Sequence, residues 1–181
     1  MPTSGSIASF TQGIPIYADE PSLYNRLTYS KYHGFSDDVI GVAKFYAATI
    51  TALDEDVRLS NGITLPSKRL RGFEAGKVGP WDNNDYIGGN YATAMNFEAN
   101  LPNLFPESSR TEVSLFLDAA NLWGVDYSSD IDDSYKIRSS AGSVVNWTSP
   151  IGPMSLVFSQ EISSASTEKT ESFRFRIGTS F

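Results

Sequence analysis

The 181-residue chain carries 14 basic against 21 acidic residues, a formal charge of −7, with 40% hydrophobic and only 19% charged residues. That length bounds it to one domain or part of one, and the acidic balance excludes a general nucleic-acid surface. Without cysteine and with His33 as its one histidine, the chain has no disulfides, thiolate metal sites or thiol nucleophiles, and little room for imidazole chemistry.

The residues after Met1, PTSGSIASF, have neither a basic start nor an apolar core and do not read as a signal peptide. Three candidate strands follow: GSIASFTQGI (5–14), LYNRLTYSKYH (23–33) and VIGVAKFYAATIT (39–51), with ambiguous faces. The apolar run Val39–Leu53 is interrupted by Lys44 and is shorter than the roughly 20 residues a spanning helix needs. A helical membrane protein is excluded, whereas a membrane β-barrel, whose strands alternate, is not.

A long connection over about 53–88 comes next. Its segment LPSKRLRGFEAGKVGP, Leu65 to Pro80, is basic and punctuated by glycine. Loops of this length inside a compact domain are functional or disordered. A phosphate-binding loop fails on detail: GFEAGK is one residue short, and Val78 stands where a magnesium-binding Ser or Thr belongs.

Beyond the loop the alternation is clear. In YATAMNFEANL, Tyr91, Met95, Phe97 and Leu101 oppose Asn96, Glu98 and Asn100. In TEVSLFLDAANLW, Val113, Leu115, Leu117 and Ala119 oppose Glu112, Ser114 and Asp118. In KIRSSAGSVVNW, Ile137, Ala141, Val145 and Trp147 oppose Arg138, Ser140 and Asn146. PMSLVFSQEI sets Met154, Leu156, Phe158 and Ile162 against Ser155, Ser159 and Glu161. In the final strand, Glu171–Phe181, the stretch FRFRIGTSF sets Phe173, Phe175, Ile177 and Phe181 against Arg174, Arg176 and Gly178. Arginines facing a soluble core would be costly, but a wet lumen accepts them while the aromatics face lipid. The pattern predicts an all-β, antiparallel up-and-down transmembrane barrel wall of about eight strands, each near the length that crosses a bilayer at a tilt. Connections alternate between short (HGFSDD, PNLFPESS, SPIGP) and long (15–21, 53–89, 124–135, 163–171), as in outer-membrane barrels. The bland alternative is a soluble β-barrel carrier of an apolar ligand, which wants apolar rather than charged residues inside.

At LRGF, Leu70, Arg71, Gly72 and Phe73, the sequence resembles the loop motif of the BamA-type assembly factors, the bacterial surface antigen superfamily. VGP (78–80), IGGN (87–90), NFEANLP (96–102), LFLDAANLW (115–123), TSPIGP (148–153) and FRFRIGTSF resemble further pieces of that family in order. Ala120 stands where the family commonly has Gly, and the glycine pair often found before the loop motif is replaced by LPSKRLRGF. The resemblance implies the C-terminal half of a sixteen-stranded barrel, a fragment or truncated reading frame whose family carries periplasmic POTRA domains ahead of the barrel. It implies insertion of β-barrel proteins into the bacterial outer membrane without enzymatic step, metal or other cofactor. The implied partners are unfolded outer-membrane clients, accessory assembly lipoproteins, and outer-membrane lipid and lipopolysaccharide. Related members instead secrete a partner protein or assist autotransporter assembly.

Parity alone puts Glu98 and Asp118 on the polar face of adjacent predicted strands, where two carboxylates repel unless a cation lies between them. Arg71 is the expected cation, since its guanidinium can fork between two carboxylates; the resemblance implies the same docking. Gly72 would let the chain turn tightly against the wall. The side chain of Lys68 is expected in solvent. Phe173, Phe175, Ile177, Gly178 and Phe181 are expected to form the closing strand and its insertion signal.

The remaining features read as structural. His33 falls in a predicted turn. The acidic run Asp126–Ser134 lacks the glycine and closing Glu of a calcium loop and reads as a solvated loop. Asn146-Trp147-Thr148 matches a glycosylation acceptor by chance, inside a strand. Tyr24, Tyr29, Tyr46 and Tyr91 could line a membrane interface or simply reflect sheet propensity.

Overall fold

A computed structural model of the chain describes residues 2–16, 21–54, 56–126, 128, 130–133, 135–150 and 152–178. Its strands are β1 (Ser4–Gly13), β2 (Ser22–Ser36), β3 (Val39–Ala52), β4 (Trp81–Asp82), β5 (Asp85–Tyr86), β6 (Tyr91–Leu101), β7 (Thr111–Trp123), β8 (Arg138–Ser149), β9 (Gly152–Ser163) and β10 (Phe173–Ile177). Eight of them form one sheet in the order β1-β2-β3-β6-β7-β8-β9-β10, each pair antiparallel. The strands β4 and β5 form a separate hairpin inside the long loop. The sheet does not close on itself: β1 and β10 are its two edges.

The wall is apolar outside and polar inside. Met95, Phe97, Leu115, Leu117, Phe158, Phe173 and Phe175 are exposed on the outer face, while Asn96, Asp118, Arg138 and Ser140 are buried on the other. A soluble carrier would have the reverse arrangement. The inner face of an open sheet would lie bare, so the burial of these groups comes from what covers it. The cover is the long loop, tied at its base by paired backbone bonds between Ile63 and Gly89 (2.8 and 3.0 Å).

Three expectations are corrected. The second strand runs on through Ser36, so HGFSDD shrinks to a turn at Asp37–Asp38. The closing strand is shorter than Glu171–Phe181: it begins at Phe173 and ends at Ile177, opposite Met154. Next on the facing strand is Pro153, which has no N–H to continue the ladder, so Gly178 lies outside the strand and only donates its N–H to the Pro153 carbonyl. Phe181 lies outside the described residues. Finally, Tyr46 is buried in the lumen rather than set at a membrane interface. The face ambiguity of the third strand has its reason here: Ile40, Val42, Tyr46, Ala48 and Ile50 make even its lumen side apolar.

Candidate functional site

Register assembles the site. Directly opposed residues of antiparallel strands share a face, and Lys44 faces Asn96, Asn96 faces Asp118, and Asp118 faces Ser140. This row crosses four strands at one level of the lumen. The adjacent row sets Glu98 against Phe116 and Phe116 against Gly142.

The loop brings Arg71 onto both rows. Its backbone N–H and its Nε donate to Asp118 Oδ2 (3.0 and 2.8 Å), and its Nη2 donates to Asp118 Oδ1 (2.6 Å). Nη1 lies 2.8 Å from Glu98 Oε1. Asn96 Nδ2 adds a bond to Asp118 Oδ1 (2.8 Å) and another to the Arg69 carbonyl (2.9 Å). A carboxylate offers about four acceptor positions, and those bonds fill them on Asp118, which is fully buried. Bidentate, charge-assisted pairing of this kind is both strong and geometrically demanding. Glu98 is also held from its other side by Lys44 Nζ at 2.7 Å.

The guanidinium carbon stands 3.9 Å from the centroid of the Phe116 ring, a cation–π contact beneath the ion pair. Gly142 makes room for that ring, since a Cβ there would sit 2.8 Å from it and 2.0 Å from the Phe158 carbonyl oxygen. Gly72 turns the chain at φ +89°, in the region that favours glycine, and a Cβ on it would meet Ser140 Cβ at 3.1 Å. Ser140 Oγ in turn donates to the Arg71 carbonyl.

Leu70 and Phe73, on either side of Arg71-Gly72, are buried with Val57, Ile63, Leu65 and Val78 from the same loop. They pack on Ala48, Ile50, Ala92, Ala94, Ala120 and Leu122 of the wall. The loop is therefore held by apolar burial as well as by charge. Lys68 is exposed, and Arg69 lies over the Tyr46 ring at 5.1 Å. Toward the short turns, Lys44, Arg71, Glu98, Asn100, Ser114 and Arg176 line a lumen cavity of about 880 Å³.

Sequence reasoning missed several participants. Lys44 read only as an interruption in an apolar run, Asn96 and Ser140 only as parity positions, and nothing marked Phe116. Arg138 and Glu168 form a second buried ion pair at 2.5 Å. There Glu168 also accepts from Gly79 N (3.2 Å), joining the long loop to the β9–β10 connection. The available signal was Arg138's place on the polar face; nothing local marked Glu168. The acidic run is anchored rather than merely solvated: Asp133 accepts from Val125 N and Asp126 from Val57 N. His33 is exposed within β2, edge-on to Phe35, and not in a turn. No cluster of metal-ligating side chains occurs among the described residues.

The profile of the Omp85 superfamily domain matches residues 1–181. An outer membrane protein assembly factor BamA from Neisseria meningitidis serogroup B is 28% identical over 139 residues, covering 62% of this chain and 17% of that protein. A BamA from Neorickettsia risticii is 28% identical over 115 residues, covering 62% of this chain and 16% of that protein. The crystal structure of Haemophilus ducreyi BamA lacking POTRA domains 1–3 superposes with a TM-score of 0.83 at 26% identity, over 96% of this chain and 38% of that one. The chain thus spans about a sixth of the two curated relatives.

Proposed function

The chain belongs to the Omp85 superfamily and forms part of an integral β-barrel of the bacterial outer membrane, and from that premise we propose that it serves the assembly and insertion of β-barrel proteins into that membrane. The observation that carries the reading is the docked loop: Arg71 clamped on Asp118 and Glu98 inside the lumen wall. A loop so held braces the wall from within, next to β10, the strand whose edge is proposed to open as the seam. Unpaired backbone donors and acceptors on a strand edge are a template for another strand. The client is an unfolded outer-membrane protein whose strand pairs there transiently, with accessory lipoproteins and outer-membrane lipid as further partners. Leu70, Arg71, Gly72 and Phe73 are the docking tip, and Glu98 and Asp118 its receptors. Phe173, Phe175 and Ile177, with Gly178 and Phe181 beyond, form the closing segment and its own insertion signal. Addition of a strand exchanges hydrogen bonds without breaking a covalent bond, so the mechanism requires no enzymatic step.

The test is replacement of Arg71 by alanine in cells that depend on this protein. The amount of folded β-barrel protein in the outer membrane, read by heat-modifiable gel mobility, should fall, whereas Lys68→Ala should leave it unchanged. Equal yields from both variants would refute the role given to the docked loop. A separate replacement, deletion of Phe181, should reduce the protein's own arrival in the membrane.

A further inference from the structure

The closing strand is held in an unusual way. It pairs with β9 over only five residues, Phe173 to Ile177. Its outward side chains, Phe173, Phe175 and Ile177, are exposed on the outer face. Outside, the rings of Phe175 and Phe173 pack on Trp147 and Phe158; from the lumen, the strand is held by the long loop.

The chain just ahead of β10 runs antiparallel to the loop tip. Glu171 N donates to the Gly72 carbonyl at 2.9 Å, Glu74 N to the Lys169 carbonyl at 2.9 Å, and Phe73 bridges Thr170. Two side chains of β10 itself extend this contact. Arg174 Nη2 donates to the Phe73 carbonyl at 2.7 Å, while Nε donates to Glu171 Oε2 at 2.7 Å. Arg176 Nη2 donates to Ser67 Oγ at 2.9 Å. The bonds from Arg174 and Arg176 therefore reach the loop on both sides of Arg71.

We propose that Arg174 and Arg176 are positioning residues of the closing strand, clasping the docked loop at Phe73 and Ser67 so that β10 is held in place from the lumen as well as by its short ladder to β9. The chemistry favours arginine for this. A planar guanidinium can donate to Glu171 and to a backbone carbonyl at once, which an ammonium on a flexible stem does less well. Parity puts both side chains on the lumen face, so the clasp does not interfere with backbone pairing along the strand. Undocking the loop would then loosen the edge as well, coupling the state of the lumen to the readiness of the seam. That consequence for assembly rests on the function proposed above; the clasp itself rests on the geometry alone.

Hydrogen–deuterium exchange on the protein extracted from the outer membrane in detergent tests it. The double variant Arg174→Gln, Arg176→Gln should speed amide exchange across 171–177 by about tenfold, the scale of one lost charge-assisted bond. Exchange in Thr111–Trp123 should not change. Ser67→Ala removes a partner without altering β10 and should give a smaller acceleration in the same segment, and Arg174→Lys should fall between wild type and Arg174→Gln. Unaltered exchange at 171–177 in the double variant overturns the clasp, and so does an equal acceleration through β8 and β9, which would mark general loosening. Local acceleration supports the clasp whatever the assembly yield. If that yield then stays at the wild-type level, the seam mechanism fails and the clasp stands.

Discussion

The loop meets the lumen wall in two zones that are held by different physics. Toward the long connections, Leu65, Leu70 and Val78 press on Ala48, Ala92, Ala94, Ala120 and Leu122. One level deeper, Arg71 is clamped by Asp118 and Glu98 over the ring of Phe116. The apolar zone is tolerant in direction: dispersion and water exclusion scale with area and do not fix an angle. The polar zone is directional, since a forked guanidinium bonds a carboxylate well in few orientations. The first keeps the loop in the lumen, and the second sets where its tip stands. The small residues of the wall belong to this division, because four alanines leave the space that the loop's larger side chains fill.

Substitutions that separate the two zones sharpen this comparison, taken from the largest expected effect down. Arg71→Ala leaves a fully buried Asp118 without its cation, a change that costs about 3–5 kcal/mol in buried pairs. Denaturant unfolding in detergent should show it, with new protease cleavage within residues 53–89. Phe73→Ala removes a side chain that is 1% exposed and should cost about 3 kcal/mol, with Arg71 still docked in a crystal structure of the variant. Should Phe73→Ala prove silent while Arg71→Ala unfolds the loop, the apolar zone contributes nothing to retention and the comparison breaks. Ala120→Leu crowds the same zone and should cost about 1–3 kcal/mol in the same unfolding experiment. Lys44→Met removes the outer partner of Glu98, whose bond to Arg71 remains; the pair is partly exposed to lumen water, so a loss of about 1 kcal/mol or less is expected. Lys68→Ala, at an exposed position of the same loop, should stay within about 0.5 kcal/mol of wild type.

Much of the architecture was legible because a barrel wall writes its two faces into alternate residues. The alternation in β6 to β9 is regular, and period two alone separates Met95 and Phe97 from Asn96 and Glu98. It was less legible in β3, where Lys44 is the only charged group on a lumen side otherwise made of Ile40, Val42, Tyr46, Ala48 and Ile50. Tyr46, Ala48 and Ile50 face the loop rather than water, and a strand read by itself cannot report what will cover it. For the same reason Tyr46 was open to reading as a membrane-interface residue. The end of β10 depended on its neighbour: Pro153 stops the ladder, and only pairing reveals that Ile177 lies opposite Met154.

The candidate site divides the same way. Composition marked a basic tip at Arg71, and parity placed Glu98 and Asp118 on one face of neighbouring strands, because both are local properties of the chain. Which atoms meet was decided by register and by the path of the loop. Asn96 and Ser140 flank Asp118 only because the strand ladders bring those positions level, and Phe116 lies under the guanidinium only because Gly142 leaves room for its ring. Arg138 finds Glu168 across the β8–β9 hairpin, and Arg174 finds the carbonyl of Phe73 from a strand about a hundred residues further along. Alternation is a short-range steric consequence of the extended backbone, so the sequence alone determines it. Contacts between a returning loop and a distant wall depend on closing long stretches of chain, and only the tertiary structure chooses among them.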